Sequence, residues 1–275
     1  MSVLCQTLVY LLAALPAVAQ SQAFATITMR PARSANPPSQ GMQVLPGGDV
    51  NGSAVPVITL LSYAYDVPSN PSPRLSGLPD WAIREKYDIE AKAPAQAMPA
   101  SLQQSELRGR VQQMIRGLLA DRFRLVMWVE NKRMSVYALT VASGGPKFQK
   151  SIIAEKDCTL QTGTEACHNF VGGLGHPLNA RAIDMDDLAH YIANWTDLPV
   201  VNRTALNGLF TINTEGWVPM HLPPPPPNSI MPAPNPFAGL PNIFTVLDKL
   251  GLELKRQEDV LPVYRVERIE RPTAN

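Results

Sequence analysis

The chain has 275 residues, of which 45% are hydrophobic and 17% charged, and its formal net charge is +1. That balance supplies apolar surface for one large domain or two of roughly 100–150 residues, and it gives no electrostatic basis for binding nucleic acid or an anionic membrane surface. Proline is the outlier at 27 residues, and its clustering predicts long irregular connections.

Residues 1–19 read as a secretory signal peptide. An apolar run from Leu8 to Leu15 leads into Pro16 and the small-residue stretch Ala17-Val18-Ala19, although no Lys or Arg precedes it. The run is too short to span a bilayer permanently and fits the apolar segment and A-x-A cleavage pattern of export signals. The expectation is an exported protein, periplasmic or secreted, with no stable membrane span after signal removal.

Strand and helix signals then alternate. Phe24–Arg30 is rich in β-branched residues on an alternating pattern, and "MQVLPGGD" reads as a strand running into a glycine-rich turn. Val57, Leu60, Leu61, Ala64 and Tyr65 share one helical face over 57–65, with Pro56 suited to the first turn. "YDIEA" is a short strand over 87–91. A helix over 102–120 carries the stripe Leu107, Val111, Met114, Ile115, Leu118 and Leu119. After it Phe123, Leu125, Met127 and Val129 alternate, "ENKR" offers a charged turn, and Tyr137, Leu139 and Val141 alternate again, which predicts a hairpin over 123–141.

The second half repeats the order. A helix over 185–195 has Asp184 as N-cap, a strand covers 210–214, and a helix over 243–250 is stopped by Gly251. A second hairpin is predicted over 252–269. A segment with ten prolines between Pro219 and Pro241 interrupts this half. It reads as an insertion in a surface loop, where extra length costs little closure entropy, and as a stiff spacer or a polyproline ligand. The expected fold is therefore α+β, built as two tandem repeats, each a small mostly antiparallel sheet with two helices on one face. Repeat one occupies 20–150, a connecting segment 151–180, and repeat two 181–275 with its proline-rich loop at 219–241.

Cys5 would leave with the signal. Cys158 and Cys167 remain as an even pair in an oxidising compartment and are expected to form a disulfide, stabilising by about 2–3 kcal/mol less any strain. A metal site of Cys158, Cys167, His168 and His176 matches no established zinc spacing. Asp186, Asp187 and His190 lie near one helical face, where helix-end electrostatics account for the acids without a metal.

The sequence has only four histidines and lacks H-E-x-x-H, paired C-x-x-C, a phosphate-binding glycine loop and a G-x-S-x-G elbow. Trp81, Trp128, Trp195 and Trp217 read as core or edge aromatics. No catalytic, cofactor-binding or metal-binding residue is assigned. The one enzymatic alternative uses carboxylates such as Asp88, Glu90 or Asp121.

The motifs "FATITMRP", "LLSYAY", "GLPDWAIREKYDIEAK", "LLADRFRL", "VYALTVASGGPK", "VVNRTALNGLFTI" and "LGLELKRQ" occur in this order from Phe24 to Pro272. In them the chain resembles a family of bacterial exported proteins of unknown function called soil-associated proteins. Asn202, Ala205 and Phe210-Thr211 depart from the Asp, Gly and Tyr-Asp usual in that family. Similar modules form the extracytoplasmic part of BlaR-type sensor peptidases, so the resemblance implies sensing or partner binding. The element order is also similar to the short N-terminal domain of secretins and TonB-dependent receptors, by analogy of topology alone. The resulting expectation is a non-catalytic module binding a protein or peptide in the envelope or outside the cell. A small-molecule sensor, with ligand held between the two halves, is the second alternative.

Overall fold

A computed structural model describes residues 23–34, 37, 40–68, 72–94, 98–159, 167–173, 175–218, 220, 237 and 239–272. The signal peptide expected at 1–19 and most of the proline-rich loop at 219–241 lie outside the described residues. Among the described residues there are five α-helices and three separate four-stranded sheets.

The first sheet contains β1 (Thr26–Pro31), β2 (Gly41–Val44), β3 (Val50–Pro56) and β5 (Lys86–Lys92), in the order β1-β5-β3-β2, all antiparallel. One face carries Met29, Ile89, Ala91 and Val50 into the first core. There it meets α1 (Val57–Tyr65) and the long α3 (Gln104–Phe123), whose expected apolar stripe is buried throughout. A short helix, α2 (Asp80–Arg84), brings Trp81 to stack on Phe123. The C-terminal carbonyls of α1, which no helical bond can satisfy, are capped from α3. Gln112 donates to Tyr63 at 3.1 Å and Arg116 to Ala64 at 2.8 Å.

The second sheet has the order β7-β11-β9-β8, from β7 (Gln149–Lys150), β8 (Val171–Gly173), β9 (His176–Ile183) and β11 (Phe210–Asn213). It encloses a second core with α4 (Met185–Ala193) and α5 (Ile243–Lys249), around the fully buried Trp217.

The third sheet overturns the two-repeat expectation. Residues 126–141 form one unbroken strand, β6 (Val126–Val141), and 252–268 form another, β12 (Leu252–Arg268). They pair with each other antiparallel along their length, from Leu252 against Val141 to Arg268 against Val126. Neither predicted hairpin exists. "ENKR" is mid-strand, with Glu130–Arg133 exposed where the ribbon passes from one core to the other. Period-two alternation on either side of a charged run describes a hairpin and a long two-stranded ribbon equally well. The absence of Gly or Pro in "ENKR" favours the ribbon. β4 (Leu75–Ser76) adds to β12 in parallel, and β10 (Val200–Asn202) adds to β6 in parallel, giving the order β10-β6-β12-β4.

The protein is thus not a tandem pair of self-contained units, each with one sheet and two helices. It is an α+β fold with three sheets, of which the central one belongs to both cores. Leu125, Met127 and Ile269 pack on the first core, while Leu139, Leu252 and Leu254 pack on the second. Gly251 marks the entry to β12 at φ +71°, where a Cβ would sit 2.0 Å from the Gly145 carbonyl oxygen. Only glycine supplies both the left-handed turn and that close approach.

Candidate functional site: a cleft between the two cores

A small third cluster fastens the two lobes together. Cys158 and Cys167 are joined by a disulfide with Cα atoms 5.8 Å apart, and both are fully buried with Ala182 and Leu209. The Cys158 carbonyl accepts the Gln104 N–H at 2.9 Å, so this loop caps the start of α3, which has no side-chain cap of its own. On the other side Cys167 bridges Ala182 of β9, and the His168 N–H donates to the Ala182 carbonyl at 2.8 Å. One covalent link therefore ties a helix of the first lobe to a strand of the second.

Between these supports lies a cavity of about 610 Å³. One wall comes from the first lobe: Met42 and Val44 of β2, Leu45, Pro46, Tyr63 of α1, Asp66, and Gln104, Ser105, Leu107 and Arg108 of α3. The other comes from His168, Asn169, Asp184 and the first turns of α4, with Asp186, Asp187 and His190. A second cavity along α4 shares Asp66, Asp186 and His190 and continues to Arg74 and Arg203.

Each charged group is placed by local structure. Asp66 is the left-handed C-cap of α1 (φ 54°), a conformation Asp tolerates. Asp184 caps α4, accepting the Asp187 N–H at 2.7 Å, and Asp187 returns the bond to the Asp184 N–H at 3.2 Å. This capping box turns Asp187 back under the helix, leaving its side chain only 8% exposed. There it meets His168 Nδ1 at 2.6 Å and Arg108 Nη1 at 3.7 Å. Arg108 also pairs with Asp66, which has His190 Nδ1 at 3.5 Å. The second His168 nitrogen faces Glu155 at 3.0 Å. Asp66 and Arg108 come from the first lobe and Asp187 and His190 from the second, so this network bridges the cleft.

The two histidines are driven in opposite directions. Burial alone would lower the His168 pKa, but the hydrogen bond and charge of Asp187, with Glu155 and Asp184 behind it, hold it up at about 9. Burial dominates at His190 and lowers its pKa, assisted by Arg108 and Arg74 and opposed by Asp66 and Asp187. Burial raises the Asp184 pKa, with Asp187 and Asp186 adding to the rise and the Asp187 N–H opposing it.

Two groups of potential metal ligands lie close together, Glu155/Cys158/His168 and His168/Asp184/Asp187. Cys158 has no thiolate because it is in the disulfide, His168 is already paired with Asp187 and Glu155, and both aspartates hold backbone N–H groups. His176 stands exposed at the start of β9, outside the cavity.

Of the sequence candidates, Asp186, Asp187 and His190 come together in the cleft, with His168 beside them. Asp88 and Glu90 line a different cavity, also about 610 Å³, on the polar outer face of the first sheet. Asp88 there accepts the Ala54 N–H at 3.2 Å and sits 3.6 Å from Arg30. Asp121 is elsewhere, at the end of α3 beside Arg122. Trp217 is core, Trp81 and Trp195 pack against the two cores, and Trp128 is 66% exposed on the ribbon. Nothing in the sequence marks Asp66, Tyr63 or Arg108, since an arginine on the polar face of a helix carries no sign of its distant partners.

The fold and site define an α+β protein of two cores sharing a ribbon, with a charged cleft between them. A family model described as "Protein of unknown function (DUF3738)" matches residues 58–269, and the chain belongs to that family. No curated protein and no solved structure matches the chain. No helix among the described residues is long and apolar enough to cross a membrane.

Proposed function

We propose that the protein is an exported, non-catalytic module that binds a protein or peptide partner in the cleft beside β2. One observation carries this reading. β2 is an edge strand: it pairs with β3, and no other described strand pairs with it. Its residues border two cavities, Met42 and Val44 on the inter-lobe side and Gly41, Met42 and Gln43 on the outer side. An open edge with cavities on each face is the geometry of strand addition, in which backbone bonds give affinity and alternate side chains enter pockets. The charged groups support a binding role over acid–base chemistry, because the histidines and buried aspartate are engaged in holding the lobes together. Placing a photo-crosslinking residue at Gln43 in the tagged protein in intact cells tests the reading. A reproducible crosslinked partner, absent when the probe is at exposed Gln257 on the ribbon, is the expected result. Background proteins alone from both positions would count against it.

A small-molecule sensor is the second reading, favoured by a cavity volume within the usual range of ligand pockets. Thermal stabilisation by a metabolite, without any crosslinked partner, would single it out.

A further inference from the structure

The charges lining the inter-lobe cavity do not balance, and the imbalance specifies its occupant. Arg108 is shared between Asp66 and Asp187, and His168 between Asp187 and Glu155. Both cationic groups are therefore already matched by carboxylates on two sides, leaving little attraction for an anionic ligand. Asp184 and Asp186 line the same cavity; Asp184 caps α4 and lies near His168, while Asp186 makes no salt bridge within 4.0 Å among the described residues. Asp186 is exposed at the mouth and lines the adjoining cavity too. Opposite them Met42 and Val44 of the β2 edge, with Leu45 and Pro46, make an apolar wall.

We propose that the cleft takes an extended partner segment that adds to the edge of β2 and places a Lys or Arg side chain against Asp184 and Asp186. This rests on the reading of the cleft as a partner site and names the partner's chemistry. The methylene stem of a basic side chain suits the apolar wall, and its charged end suits the exposed Asp186 carboxylate with Asp184 behind it. A strand at β2 delivers every second side chain to one face, so one basic residue at a fixed position is expected, flanked at alternate positions by apolar residues that meet Met42 and Val44.

The test selects short random peptides displayed on phage against the full chain with its disulfide intact. The expected peptides share one Lys or Arg position within an alternating apolar pattern, and they slow amide exchange in β2. Selection on an Asp184→Asn/Asp186→Asn variant should still recover β2-protecting peptides but lose the basic position, with Lys peptides weakened by roughly tenfold. Asn at the cap keeps α4 intact, which circular dichroism verifies. Peptides that protect β2 without a basic position would overturn this inference and leave the cleft reading standing. Failure of any selected peptide to protect β2 would overturn both, as would a chain that sediments as a dimer with β2 already protected, since the occupant is then a second copy.

Discussion

His168 is the residue on which the cleft is most sensitive to pH. Its folded pKa of about 9 lies above the ordinary 6.5, so the folded state binds more protons than the unfolded state between these values. The stabilisation from its pair with Asp187 is therefore complete below about pH 6.5 and is lost as pH rises through about 9. With the side chain only 13% exposed, the contribution is on the order of 3 kcal/mol. His168→Gln should flatten the fall in urea-unfolding free energy over that interval. His190 acts with the opposite sign: its lowered pKa makes acid destabilising as pH drops below 6.5, and His190→Asn should remove part of that slope. The disulfide beside His168 should be worth about 2–3 kcal/mol by loop entropy. Cys158→Ser/Cys167→Ser should lose that much in denaturant titrations and also bring the His168 titration, followed by NMR, down toward its ordinary value. The cysteine pair and the Asp184 cap were visible in the sequence because each is a local pattern. The Arg108–Asp66–Asp187 bridge was not, because its members sit on three elements and only packing brings them together.

Helices were the most legible elements. The stripes over 57–65, 185–195 and 243–250 match α1, α4 and α5 to within two residues at each end, because a 3.6-residue apolar period has few alternative explanations. Strands were read less well. β9 is faint in the sequence because its inward residues include Ala180 and Ala182, which carry little strand signal. Alternation reveals which side chains face inward but not which strand lies alongside, so the sequence does not distinguish the ribbon from two hairpins. Its partnership can be probed where β6 enters the second core. Leu139, fully buried opposite Leu254, should cost roughly 2–5 kcal/mol as Leu139→Ala in urea unfolding.

At the scale of the molecule, the shared ribbon makes the lobes interdependent. Among the described residues β4 of the first lobe pairs only with β12, and Ile269 packs on the first core although it follows β12 in the chain. Deleting residues after Gly251 should therefore remove amide-exchange protection from β5 and α3 as well as from α5. A first lobe that keeps its native protection in that truncation would show the cores to be independent. The intact chain should unfold in one transition, with tryptophan fluorescence and circular dichroism superimposing.

The pairing of Val126 with Arg268 also fixes an order of events during synthesis. α3 and β6 emerge from the ribosome long before β12, so the side of the first core that the ribbon covers stays open until β12 is made. Contacts so distant in sequence form slowly. In a nascent chain of this design the ribbon can close only after β12 has left the ribosome, and proteolysis of stalled chains should find β6 unprotected until that point.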